Sequence, residues 1–127
     1  MANSAGLHEP EDKLTPEVID RHRAFVSLEE ELEAIDWYDQ RVAATRDPEL
    51  AAVLAHNRDE EKEHAAMILE WLRRHDPVLD RNLRTYLFTS APVTEIEAEA
   101  EAAGGGEPAG DGPEGSFAIG ALKGESL

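Results

Sequence analysis

Large apolar residues recur along this chain at alternating steps of four and three. Leu50, Leu54, Asn57, Glu61, His64, Ile68 and Trp71 form one such line; Ala24, Leu28, Glu31, Ile35, Tyr38 and Val42 form another. That spacing keeps one face of an α-helix toward a partner, and it predicts two helices of bundle type. Start signals precede both. Thr15-Pro16-Glu17 reads as an N-cap, a first helical position and an acid in the first turn, and Asp47-Pro48-Glu49 repeats the signal. The first helix therefore runs to about Thr45, the turn is centred near Arg46, and the second helix continues to about His75. Asp76-Pro77 opens a third, shorter helical segment with Leu79, Leu83, Tyr86 and Leu87 on one face, and Pro92 is its stop. No segment alternates with a period of two, so no sheet is predicted.

The predicted class is all-α: an antiparallel two-helix hairpin plus a short C-terminal helix. One hairpin cannot cover its own apolar stripe, and a chain of 127 residues holds one domain at most. The expected remedy is self-association, two hairpins closing a four-helix bundle. Residues 1–14 are polar and read as a flexible N-terminus, with the helical domain over 15–91. Over 92–115 Glu and Ala alternate and then give way to a Gly/Pro/acidic stretch, which reads as a disordered linker too poor in apolar surface to pack. Such a linker of about 25 residues has a reach of ~25–30 Å. Residues 116–127 regain apolar character with Phe117, Ile119 and Leu122. Three large apolar groups at the end of a solvated tail suit docking into pockets of a partner better than mere solubilisation.

Both seams are polar at their centres, where a helix partner wants Leu. Glu31 stands fifteen residues before Arg46 and Glu61 fifteen after it, so an antiparallel hairpin sets the two carboxylates at one level. His64 lies one turn from Glu61 on the same face. A two-fold axis through that level would double the three groups to four carboxylates and two imidazoles. This is the recurring di-iron set, one Glu from each of two helices and Glu-x-x-His from each of the other two. Four carboxylates balance two Fe²⁺ ions, and mixed carboxylate and imidazole ligation suits iron or manganese. Tyr38, one heptad beyond Glu31, is either a hydrogen-bond donor to a ligand or a core tyrosine. Glu30, Glu33 and Trp37 make a second stripe, either an acidic face with a packed aromatic or a place where cations collect.

Composition narrows the partners. The net charge of −16 opposes binding to nucleic acid phosphates. The absence of cysteine excludes disulfides, thiolate metal sites and Cys nucleophiles. No apolar run approaches the ~20 residues of a membrane span. Met1 to Glu11 has no basic-then-apolar signal pattern, so cytosolic synthesis is expected.

Several stretches together resemble the encapsulated ferritins. They are Arg21–Ala24, Glu30–Arg41, His56–Ala66, Glu70–Arg74 and Leu83–Phe88, most of residues 20–90. The resemblance implies a half-ferritin whose ferroxidase centre forms only between two subunits. It implies Glu31, Glu61 and His64 as iron ligands, Tyr38 as the hydrogen-bond donor behind them, and Glu30, Glu33 and Trp37 as a site where iron enters. It also implies two irons per dimer interface, with Ca²⁺, Mn²⁺ or Zn²⁺ substituting in vitro, and a ring of five dimers that oxidises iron without holding mineral itself. Gly115–Glu125 looks like the family's encapsulation peptide, with Phe117 where Leu is usual. The implied partner is an encapsulin shell protein, met through Phe117, Ile119 and Leu122, and the implied place is an encapsulin nanocompartment in a prokaryotic cytoplasm. The expected activity is therefore oxidation of Fe(II) to Fe(III) by dioxygen, supplying iron for storage. Two rivals stand beside it: a helical cargo or adaptor protein whose seam polar groups only specify register, and a metal-buffering module without turnover.

Overall fold

A computed structural model describes residues 6–104. Among them are four α-helices and no strand: α1 (Pro16–Ala44), α2 (Pro48–Arg74), α3 (Pro77–Tyr86) and α4 (Val93–Gly104). The chain divides into two compact units, one ending at Leu72 and the other beginning at Arg73.

The first unit holds the hairpin. Thr15 caps α1, its Oγ1 accepting from the Val18 N–H at 3.2 Å, and Pro16 takes the first helical position, where no N–H is needed. Thr45, Arg46 and Asp47 make the turn. Asp47 closes it by accepting from the Glu49 N–H at 3.1 Å, which caps α2. The two helices run antiparallel: Asp39 on α1 meets Arg58 on α2, and Glu31, earlier on α1, meets His64, later on α2.

Interior is scarce. Among the described residues only Ala65 and Leu72 are buried and apolar. They stand seven residues apart on α2, on a stripe that also carries Ala51 and Arg58. The seam residues Leu28, Ile35, Leu54 and Ile68 are only half covered. Beside the seam, Val18, Phe25 and Leu32 repeat every seven residues on α1 and lie exposed, Leu32 by 54%. Val53 and Met67 are likewise exposed on α2. Large apolar residues left exposed together in water mark candidate interaction surfaces.

In the second unit, Asp76 caps α3, its Oδ1 accepting from the N–H groups of Val78 at 3.1 Å and Leu79 at 3.0 Å. Asp80 accepts from Arg73 and, at 2.9 Å, from the Arg84 Nε–H. α3 ends at Tyr86 rather than reaching toward Pro92, because Phe88 takes a left-handed backbone conformation (φ 62°) that turns the chain. α3 and α4 pack together.

Two expectations change. Residues 93–104 were assigned to the linker over 92–115, yet they form α4. Ala and Glu are among the best helix formers, and their alternation supplies propensity even without an apolar stripe. Within the N-terminal segment 1–14, Glu11–Lys13 form a 3₁₀ turn closed by the Lys13 N–H to Pro10 carbonyl bond of 2.9 Å. The rest of the linker, the segment 116–127 and its residues Phe117, Ile119 and Leu122 lie outside the described residues.

Candidate metal centre

Glu31 comes from the middle of α1, and Glu61 and His64 come from successive turns of α2. One ligand atom from each lies within 4.8 Å of the others, and among the described residues this is where carboxylates and imidazole converge. His64 Nδ1 is 3.3 Å from Glu61 Oε1 and 3.6 Å from Glu31 Oε1. The two carboxylates are three-quarters covered, whereas the His64 side chain is 46% exposed. The trio is therefore reachable from solvent through His64 and is not sealed inside its own hairpin.

The electrostatics are those of two carboxylates and an imidazole held close together. A hydrogen bond to Glu61 raises the Glu31 carboxyl above its ordinary value, with burial and the charge of Glu61 adding to it. The same hydrogen bond lowers Glu61, and His64 lowers it further, although burial opposes this. Burial alone would lower His64. It is outweighed by the hydrogen bond to Glu61 and by the charges of Glu31, Glu61 and Glu60, so the imidazole is raised.

These directions set a pH dependence. A divalent cation needs unprotonated His64 and both carboxylates, so binding must displace protons. Because His64 holds its proton to a higher pH than the usual 6.5, affinity should climb with pH and level off only above 6.5. Zn²⁺ titrated calorimetrically near pH 6, in two buffers of different ionisation heat, should release protons; buffer-independent heats would refute the assignment. Without metal the sign is opposite. The contribution of His64 to hairpin stability is complete below the unfolded imidazole value and is lost as pH rises through the raised folded value.

The other predicted residues are placed as follows. Tyr38 is half covered on the seam, and the Arg41 guanidinium lies 5.4 Å from its ring centroid. Glu30 and Trp37 are exposed and Glu33 is half covered on α1; none of them joins the converging trio. One feature escaped the sequence reading. Arg58, one turn before Glu61, donates from its NH1 group to Asp39 across the hairpin at 3.0 Å and from Nε to Asp59 at 3.1 Å. Its only signal was a charged residue on the heptad stripe of Ala51, Ala65 and Leu72.

Three such groups from one chain would leave a transition metal with open positions. Residues 6–90 match the EncFtn-like family. The chain is 59% identical to an encapsulated ferritin-like protein of Rhodospirillum rubrum, covering 99% of this chain and 94% of that protein. It is 56% identical to a ferritin-like protein of Thermotoga maritima over 81% of this chain and 89% of that one. An encapsulin nanocompartment cargo protein of Myxococcus xanthus is 33% identical over 77% of this chain and 80% of its own length. A protein of Nitrosomonas europaea solved by crystallography superposes with a TM-score of 0.67 at 61% identity, covering 69% of this chain and 97% of that one.

Proposed function

The chain belongs to the EncFtn-like family, and on that premise we propose that two copies pair to complete the Glu31–Glu61–His64 centre, which then oxidises Fe²⁺ with dioxygen. The observation that carries this reading is the half-centre itself: three ligand atoms within 4.8 Å of one another, on a hairpin whose described residues leave Phe25, Leu32, Val53 and Met67 exposed. A two-fold pairing over those residues would bury them and bring six ligand groups together. Iron is the substrate. Two Fe²⁺ ions give one electron each to dioxygen, which takes up two protons and leaves as hydrogen peroxide, and the product Fe³⁺ leaves for storage.

The protein's part is positioning and charge. Glu31 and Glu61 would supply oxygen ligands to the ions and His64 the nitrogen ligand. Any proton that these groups hold would depart as the cation enters. Glu30, Glu33 and Trp37 would gather iron on the outer face of α1, and Tyr38 would hydrogen-bond to a ligand carboxylate. The homodimer would assemble further into a ring, a decamer. The tail residues Phe117, Ile119 and Leu122 would dock on an encapsulin shell, placing the enzyme inside a nanocompartment of a prokaryotic cytoplasm; the names of the Rhodospirillum and Myxococcus relatives support that placement.

Stopped-flow absorbance after mixing aerobic protein with Fe²⁺ tests the activity. The expected result is a rise of Fe³⁺ absorbance far faster than in buffer alone. Metal bound tightly with no faster rise would make this a buffering module, and assembly indifferent to metal with no rise would make it an adaptor.

A further inference from the structure

We propose that Arg58 is a positioning residue: its cross-helix bond to Asp39 holds α1 and α2 in the register that the Glu31–Glu61–His64 centre needs. The inference rests on the reading of that trio as a metal centre.

The position is anomalous. Residues 51, 58, 65 and 72 repeat every seven along α2, and the last two are the buried apolar residues of the hairpin unit. A Leu or Ala at 58 would continue that stripe. Arg58 stands there instead, with its side chain only 23% exposed. A covered cation needs partners, and this one has them on both helices: Asp39 on α1 at 3.0 Å and Asp59 on α2 at 3.1 Å. The planar fork of the guanidinium fixes direction as well as distance, which an ammonium cannot do.

Arg58–Asp39 and His64–Glu31 both tie α1 to α2 directly. The second is made of the groups a metal ion would take, so loading dissolves it. Arg58–Asp39 involves no ligand and persists in both states. Its anchor on α2 lies one turn from Glu61, and its anchor on α1 follows Tyr38 directly. A slip of one residue between the helices would move the two carboxylates apart by ~1.5 Å. Displacements of about 1 Å are enough to disable a preorganised site. An ordinary exposed salt bridge would add almost nothing; the covered fork on the packing stripe is what gives this one leverage.

The test is a Co²⁺ titration of the full chain, followed at the visible d–d band, with Arg58→Met, Asp39→Asn, their combination, Arg58→Lys and Glu61→Ala. Asp39→Asn leaves Arg58 paired with Asp59 and so carries the test if Arg58→Met does not fold. Each single change should weaken Co²⁺ binding by about tenfold, the lower end for groups that orient metal ligands. The combination should be no weaker than either single variant, and Lys should recover part of the loss. Wild-type affinity in folded Arg58→Met or Asp39→Asn overturns the inference, as does lowered melting with unchanged affinity. A wild-type band that Glu61→Ala leaves intact would instead overturn the metal centre, and the role of Arg58 with it.

Discussion

Replacing Glu61 with Ala is expected to reduce Fe²⁺ oxidation to the rate of protein-free buffer. Glu61 sits within the trio, whose ligand atoms all lie within 4.8 Å of one another, and its Oε1 is 3.3 Å from His64 Nδ1. In a two-fold centre the change removes two ligands at once. Two carboxylates would then face two divalent cations, leaving uncompensated positive charge in a covered site. Glu63→Gln is the matched control. It lies two residues away on the same helix, is exposed, and stands apart from the converging trio. Stopped-flow traces should separate the two variants completely, with Glu63→Gln retaining the wild-type rate. Wild-type oxidation by Glu61→Ala would remove the trio from the mechanism.

The second large effect concerns pairing. Phe25→Asp and Leu32→Asp should each weaken self-association about a hundredfold or more. Burial of one such side chain contributes about 1.5–3 kcal/mol, and an unpaired carboxylate in its place adds a desolvation cost. A two-fold interface uses each residue twice, so a loss of about 3 kcal/mol is a low figure, corresponding to ~100-fold in Kd. Light scattering on the eluted protein would show the outcome. Variants should move toward the 14.0 kDa of a single chain at concentrations where the wild type stays assembled. A wild-type mass for both would mean that another face makes the contact.

Much of this architecture could be read from spacing. Pro16, Pro48 and Pro77 open the first three helices, because proline tolerates the first turn and little else of a helix. The approach of Glu31 to Glu61 followed from equal distances to the turn at Arg46, since antiparallel helices of equal rise pair residues at equal separations. The same arithmetic could not find Arg58–Asp39. Asp39 is seven residues before Arg46 and Arg58 twelve after it, so their backbones are not level and only the long guanidinium stem closes the gap. α4 was lost for a different reason. Glu95, Glu97, Glu99 and Glu101 alternate with Ala or Ile, so composition suggests a solvated coil while intrinsic propensity favours a helix. Left-handed Phe88 had no signature either, because glycine is the residue that announces such a turn.

The near-absence of interior has a consequence for how such a catalyst is controlled. With Ala65 and Leu72 as the only buried apolar residues described in the hairpin, the proposed pairing would make acquiring a core and acquiring a complete centre the same event. Below the dissociation constant, the number of working centres would then fall with the square of the chain concentration. Dilution would act as an inhibitor, and a solitary newly made chain would be chemically silent toward iron and dioxygen. Crowding many copies into a small volume would switch the chemistry on without any effector.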